Sequence, residues 1–172
     1  MSKNLNFKSA EEFAAAREKL FNETHPEAPI AKDIECLNLI MKREFAEQIL
    51  AGTKKLEFRA YSDHYVKRLI DNDVADYIQR HINDDEVLMF CSDIRQVKRI
   101  HFHNYSNSWH LDIECDYNDA FCINKRDIKY LNETYDCHDY DRDLARFEAM
   151  GEVNRPWLFF FVCGKVISTN LK

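Results

Sequence analysis

Two segments of alternating polarity on either side of residues 106–107 constrain the fold more than any other feature of the sequence. QVKRIHFHNY ends at this point and SWHLDIECDY follows it. A turn at the two intervening residues places Ile100 opposite Ile113 and Phe102 opposite Leu111. Charged and histidine residues then lie opposite one another on the other face. The pattern predicts an antiparallel hairpin with one buried face and one polar face.

The polar face of this hairpin gathers His101, His103, His110 and Asp112. Such a cluster binds a metal ion or shuttles protons in some proteins, but it is more often the solvent-facing side of a hairpin. The six cysteines include no CxxC pair, which is typical of free thiols in a reducing compartment. The sequence therefore predicts neither a metal nor another cofactor.

The remaining periodic segments predict further strands and helices. We expect an α+β fold, namely a small and mostly antiparallel β-barrel with flanking helices. An N-terminal helical extension is expected over 1–33, followed by the barrel domain over 34–172. The predicted helices are 10–22, 44–52, 63–82, 125–132 and one ending near residue 150, and the predicted strands outside the hairpin are 34–42, 54–60, 86–91, 121–123 and a last one from residue 157.

The net charge of −6 is concentrated in residues 104–148, which hold eleven acidic and five basic residues. Proteins that bind long nucleic acids carry a positive excess, so attraction to a long duplex is disfavoured. A local basic cleft that holds one nucleotide or a short single strand stays compatible with this charge. No apolar run approaches the roughly 20 residues of a membrane helix, and no signal peptide is recognisable, so we expect a cytoplasmic protein without a membrane partner.

The stretch AGTKKLEFRA, residues 51–60, places unusual charge next to a glycine turn. Alternation puts Lys55, Glu57 and Arg59 on one face of a strand, and Leu56 lies on the other face. Taken alone, the pattern fits a half-buried strand with a solvated face and an internal Glu–Arg pair. Because Lys54 falls on the face opposite to Glu57, a site shared by the two needs a bend at the turn.

The order of elements around this stretch resembles the ASCH domain, a branch of the PUA-like β-barrels. A strand, a short helix ending at Gly52 and a strand carrying G-x-K-x-x-E-x-R over 52–59 form the motif. The aromatic and basic stretch 61–69 and the aromatic strand 157–163 also resemble members of this family. The similarity in element order extends over about 34–166.

This resemblance implies a PUA-like barrel with a cleft beside the glycine turn, into which Lys54, Glu57 and Arg59 point. ASCH-like domains are associated with RNA and modified nucleosides, and some resemble amidohydrolases acting on N4-acetylcytidine or nucleases. Lys54 and Glu57 are then the candidate catalytic residues, although the small amidohydrolases have a threonine at the position of Glu57. A desolvated lysine serves as a base or nucleophile, and a carboxylate relays a proton. The candidate ligand-binding residues are Lys55, Arg59, Tyr61, Lys67 and Arg68, and Asp136 and Asp139 are candidates for a further catalytic acid.

Two functions from different classes follow from these patterns. The first is recognition of a nucleotide, a modified nucleoside or a short single-stranded RNA in the cleft, with hydrolase activity, either amidohydrolase-like or ribonuclease-like, left open. The second is a non-enzymatic protein-interaction module that uses the acidic surface of residues 112–143 and the N-terminal helix. The sequence does not separate a catalytic trio from a binding trio.

Overall fold

A computed structural model describes residues 10–171 of the chain. No helix in this range is long and apolar enough to cross a bilayer. The described residues form seven helices and five strands. In chain order these are α1 (Ala10–Thr24), β1 (Leu37–Ile40), α2 (Arg43–Leu50), β2 (Leu56–Ala60), α3 (Asp63–Leu69), α4 (Asn72–Arg80), α5 (Asp85–Phe90), β3 (Arg99–His103), β4 (His110–Cys122), α6 (Lys125–Tyr135), α7 (Asp141–Met150) and β5 (Trp157–Thr169).

The chain divides into two compact units. One unit contains the described residues 10–31 together with Ile70–Asp93. It consists of α1, α4 and α5, with a small core of Phe21, Tyr77 and Val87. The other unit contains Lys32–Leu69 and the chain from Ile94 onward, and it holds all five strands. The candidate site lies entirely within this second unit.

The five strands form one mixed sheet in the order β1-β3-β4-β5-β2, curled into a half-barrel. The hairpin register is as predicted, with Ile100 paired to Ile113 and Phe102 to Leu111. The expectation of a mostly antiparallel sheet is corrected, because β1 pairs with β3 in parallel while the other neighbours are antiparallel. This arrangement arises because the chain crosses over between β1 and β3 instead of turning back directly.

The two edge strands of the curled sheet, β1 and β2, are not neighbours in the ladder. Arginine side chains lie across the seam between them. Arg59 on β2 donates from Nη2 to the carbonyl oxygen of Ile40 at 2.9 Å. Arg68 on α3 donates to the carbonyl oxygen of Asn38 at 3.3 Å. Two outward-facing carbonyls of β1 are therefore satisfied by side chains rather than by another strand.

Three segments differ from the sequence-based expectations. Residues 86–91 were expected as a strand, but 86–90 lie in α5 and Cys91 is its C-cap. The helix forms because the Asp84 side chain accepts hydrogen bonds from the backbone N–H groups of Glu86 and Val87 and so caps its start. The helix expected over 63–82 is two helices, since Asp71 caps the start of α4. The short strand expected at 121–123 is the end of the 13-residue strand β4.

The core of the second unit explains where polar side chains become buried. On the inner face of the sheet, Phe159 and Phe161 of β5 are fully buried together with the apolar side of the hairpin. The register pairs Glu57 with Phe161 and Arg59 with Phe159. On the opposite face, Phe160 packs in a cluster with residues of β2, β4, α6 and α7. Alternation along β2 therefore directs Glu57 and Arg59 toward the apolar interior.

Candidate functional site

The glycine turn places Lys54 on the same side as Glu57. Helix α2 ends before Gly52, which adopts a left-handed conformation with φ of 73°. The backbone N–H of Lys54 then donates to the carbonyl oxygen of Gln48 at 3.1 Å. Because β2 begins only at Leu56, the side chain of Lys54 does not follow the alternation of faces along that strand. Its ammonium lies 3.5 Å from the Glu57 carboxylate.

Glu57 is the centre of a buried network of charges. The residue is 6 % exposed. Its Oε1 lies 2.9 Å from Nη2 of Arg59, and its Oε2 faces Lys54. Burial raises the pKa of the Glu57 carboxyl above its ordinary value, although Arg59 and Lys54 act in the opposite direction. The carboxylate is therefore held by two cations in a place where its charge is costly.

The Lys54 ammonium is also enclosed by aromatic rings. It lies 5.6 Å from the ring centre of Phe45 on α2 and 5.7 Å from that of Phe58 on β2. Only 16 % of the Lys54 side chain is exposed. Cation–π attraction and the Glu57 carboxylate thus fix the ammonium at the cavity wall.

A cavity of about 870 Å³ opens beside these three charged residues. Its wall combines the charged end of β2 with the segment after β1, the tip of the β3–β4 hairpin and the loop before α7. Aromatic side chains come from all four regions. The lining residues are Ile40, Met41, Lys42, Arg43, Phe45, Lys54, Glu57, Phe58, Arg59, Asn104, Tyr105, Trp109, Asp139 and Tyr140.

Tyr140 contributes a neutral phenol to this cavity. Burial, followed by the nearby charges of Asp139, Cys137 and Glu57, raises the pKa of Tyr140 to about 12. The hydroxyl group therefore stays protonated at neutral pH and serves as a hydrogen-bond donor or acceptor. The sequence did not distinguish Tyr140 from the other tyrosines, because its position depends on how the loop after α6 folds back.

A smaller cavity of about 280 Å³ adjoins the large one. The two share Phe45, Lys54 and Asp139 in their walls. The smaller cavity lies between the end of α2, the start of β2 and the loop after α6. Its remaining lining residues are Gln48, Thr53, Lys55, Leu56, Tyr135, Asp136, Cys137 and His138.

The other candidate residues from the sequence are placed as follows. Lys55 and Asp136 line only the small cavity, whereas Asp139 lines both. Tyr61 stacks on the ring of Phe159 at 4.6 Å and lines neither of these two cavities.

The two basic residues of α3 also lie outside both cavities. Lys67 is exposed, and Arg68 is engaged at the seam with the carbonyl oxygen of Asn38. The structure thus gathers Lys54, Glu57 and Arg59 in one wall, and it places Tyr61, Lys67 and Arg68 elsewhere.

The histidine cluster on the hairpin is a separate feature. His101 Nδ1 lies 2.8 Å from Asp112, and Ser168 donates to the same carboxylate at 2.8 Å. His110 Nε2 is 3.7 Å from Asp112. Within residues 10–171, no group of three or more histidine, cysteine or acidic side chains is arranged to hold a metal ion. All six cysteines are free thiols.

Acidic residues within 112–143 are partly engaged in local contacts. Asp127 accepts from the Asn124 side chain and from the backbone N–H of Cys122. Asp141 accepts from Asn132 and lies 2.8 Å from His138 Nδ1. These contacts hold the two carboxylates in the loop and at the helix ends, and the protein-interaction function stays a prediction.

Comparison with known proteins yields no relative. No protein-family model, no curated protein and no solved structure matches the chain. Membership of the ASCH family therefore stays a prediction that depends on the motif residues. The geometry of the cavity is the basis on which a function can be proposed.

Proposed function

We propose that the protein binds a nucleotide, a modified nucleoside or a short single-stranded RNA in the large cavity, through Lys54, Glu57 and Arg59. The observation that carries this proposal is a buried carboxylate, paired with two cations, in the wall of an aromatic-lined cavity. Its volume of about 870 Å³ falls in the range of about 300–1,000 Å³ typical of small-molecule sites. A mostly apolar wall with a few convergent polar groups is typical of sites that bind small organic molecules.

The polar groups suit the edge of a nucleobase. The Glu57 carboxylate accepts N–H donors such as an exocyclic amine. Arg59 has five N–H donors on three nitrogens, and Nη2 is the one nitrogen that makes a hydrogen bond or ion pair within residues 10–171. Its Nε is buried without an acceptor in the same range. A carbonyl or phosphate oxygen of a ligand would accept from the Nη end of the guanidinium, because the buried Nε has no surface open to the cavity.

The aromatic residues supply surfaces on which a planar ring can stack. Phe45, Tyr105, Trp109 and Tyr140 reach the cavity from three different parts of the chain. Base–aromatic stacking contributes about 1–3 kcal/mol per base and tolerates different bases. Stacking therefore provides the affinity in this proposal, and the charged trio provides the orientation.

The positive charge at the large cavity comes from a few basic residues in its wall. Beyond Lys54 and Arg59, the wall contains Lys42 and Arg43. These two lie at the exposed rim, and both pair with glutamates of α2. Exposed pairs of this kind are weak and easily exchanged for a ligand anion. The cavity thus suits a short ligand with one or two phosphates better than a long polyanion.

We also propose that the half-barrel is a variant of the PUA-like barrel of ASCH domains. The motif order of β1, α2, Gly52 and β2 supports this assignment. In this variant, the side chains of Arg59 and Arg68 bridge the seam at which a closed barrel has main-chain hydrogen bonds.

Isothermal titration calorimetry tests the binding function. The ligands are the four ribonucleoside 5′-monophosphates, cytidine, N4-acetylcytidine and a single-stranded hexamer RNA. Lys54→Met should weaken binding about tenfold or more, because it removes the ammonium group from the wall of the large cavity. Lys55→Met is the matched control and should retain affinity for ligands confined to the large cavity. Unchanged affinity in Lys54→Met, or no binding of any ligand by the wild type, contradicts the proposal.

Mass spectrometry of the same mixtures separates an enzyme from a binder. In this proposal Glu57 is the residue that moves a proton, because its carboxyl lies in the cavity wall and burial raises its pKa above the ordinary value. Turnover of N4-acetylcytidine or RNA that is lost in Glu57→Gln, with binding retained, identifies a hydrolase. Retained binding without any product in the wild type identifies a recognition domain.

A further inference from the structure

Two of the six cysteines lie directly opposite one another in the sheet. The register of β4 and β5 pairs Cys115 with Cys163, and both are free thiols on partly exposed residues. Side chains that lie opposite one another in an antiparallel pair point to the same face, so the two thiols share one face of the sheet. Cys122, further along β4, lies opposite Trp157 instead.

The main-chain hydrogen bonds show that these cysteines form the closer of the two kinds of antiparallel pair. The backbone N–H of Cys115 donates to the carbonyl oxygen of Lys98 at 2.9 Å. That of Cys163 donates to the carbonyl oxygen of Lys55, also at 2.9 Å. Lys98 directly precedes β3 and Lys55 directly precedes β2, so both N–H groups point away from the neighbouring cysteine. In such a non-hydrogen-bonded pair the Cα atoms lie about 4.5 Å apart, which falls within the range of about 4.4–6.8 Å that a disulfide spans.

The backbones of β4 and β5 also approach closely beside this pair. The register shifts on both sides of Cys115. Next to Cys163 stands Gly164, where an added Cβ would lie 3.0 Å from the carbonyl oxygen of Glu114. The lack of a side chain at Gly164 therefore lets the two strands come together at the cysteines.

We propose that Cys115 and Cys163 form a site of oxidative modification, at which hydrogen peroxide links the two thiols in a disulfide between β4 and β5. One thiolate attacks a peroxide oxygen, which gives a sulfenic acid and releases hydroxide. The second thiolate attacks the sulfenic sulfur and displaces its hydroxyl group as a second hydroxide. The thiols supply two electrons and two protons in total, so the peroxide ends as two molecules of water. This modification does not depend on the nucleotide-binding function.

The surroundings make this oxidation slow at neutral pH and its product long-lived. Burial raises the pKa of both thiols to about 12. The charged groups that act on them are Asp116, Glu57 and Lys54, of which Lys54 favours the thiolate and the two acids oppose it. Because the thiolate is the reacting species, the rate should rise about tenfold per pH unit below this pKa. A thiol of high pKa is also a poor leaving group, so an attacking thiol reduces the disulfide slowly.

Peptide mapping of the peroxide-treated protein tests this site. The folded full-length chain is incubated with hydrogen peroxide at pH 7, 8 and 9, and its remaining thiols are blocked with iodoacetamide after catalase has removed the oxidant. Digestion with trypsin and an aspartate-specific protease then separates Cys115 from Cys122 at Asp116. We expect a linked pair of peptides that contains Cys115 and Cys163, lighter by two hydrogen atoms than the reduced peptides together, and formed faster at each higher pH. Cys115→Ser and Cys163→Ser should each abolish this product, whereas Cys122→Ser, the matched control on the same strand, should retain it.

Thermal unfolding provides a second measurement on the same samples. A bond between β4 and β5 closes a loop of the unfolded chain, so the oxidised wild type should melt several degrees above the reduced protein. Cys163→Ser should show no such gain after the same treatment. The proposal is overturned if the folded wild type forms no linkage between Cys115 and Cys163 at pH 9, or if these two residues are oxidised only to sulfinic or sulfonic acids.

Discussion

Replacing Arg59 with methionine tests the buried charge network most severely. The substitution keeps an unbranched side chain on β2 but leaves the Glu57 carboxylate, 6 % exposed, without its 2.9 Å partner. Breaking a buried ion pair from one side costs about 3–5 kcal/mol. Lys54 still faces Glu57, and 19 % of the Arg59 side chain is exposed. We therefore expect the free energy of unfolding to fall by about 3 kcal/mol, the lower end of that range.

The loss should depend on pH in a defined direction. Burial raises the pKa of Glu57 in the folded protein, so the folded state binds more protons than the unfolded state between the two pKa values. The contribution of Glu57 is thus unfavourable above its folded pKa, and this penalty is relieved as the pH falls toward 4.5, the ordinary pKa of a glutamate side chain. Removing Arg59 raises that pKa further. The deficit of Arg59→Met should consequently shrink on acidification.

Urea denaturation followed by circular dichroism at pH 5 and pH 8 measures the loss of stability in Arg59→Met and its dependence on pH. Arg68→Met is the matched control, because Arg68 also donates to a carbonyl of β1 but faces no buried carboxylate. We expect it to cost about 1 kcal/mol, the value of a single hydrogen bond. Adding Glu57→Gln to Arg59→Met should recover stability at pH 8. A deficit of Arg59→Met that equals that of Arg68→Met, or that is the same at both pH values, would refute this reasoning.

Three further substitutions test the packing around the site by the same denaturation measurement. Phe161→Ala should cost about 3–5 kcal/mol, since the ring is fully buried opposite Glu57; a loss below 1 kcal/mol contradicts this packing. Asn118→Leu should cost about 1–3 kcal/mol, because the buried amide accepts from the backbone N–H of Val97 at 2.8 Å; a neutral result contradicts it. Gly164→Ala should cost about 1–3 kcal/mol, because a Cβ would contact the Asp116 side chain; an unchanged midpoint shows that this side chain moves away freely.

Features that depend on neighbouring residues were predictable from the sequence. The hairpin register followed from matching polarity across a two-residue turn, and it is confirmed pair by pair. The helix that ends before Gly52 and the strand that follows it were also predicted from the pattern of neighbouring residues. Residues 86–91 were predicted wrongly because a short apolar run suits a strand and a helix alike, and only the cap at Asp84 decides between them.

Features that depend on distant parts of the chain were not predictable in this way. The sequence does not reveal the parallel pairing of β1 with β3, which requires knowing how the chain crosses over between them. Strict alternation would have separated Lys54 from Glu57, whereas the hydrogen bond to Gln48 keeps Lys54 outside the strand. Trp109 and Tyr140 reach the cavity from a hairpin tip and a loop far from the motif.

The most direct measurement of the central claim is an NMR titration of the ¹⁵N-labelled protein with the ribonucleoside 5′-monophosphates. We predict saturable shifts of the Gly52 and Tyr140 amides and of the Trp109 indole N–H, all at or beside the large cavity, with the same shifts lost in Lys54→Met. Shifts confined to the histidine face around His101 and Asp112, or no saturable shifts, would contradict the claim that this cavity is the binding site.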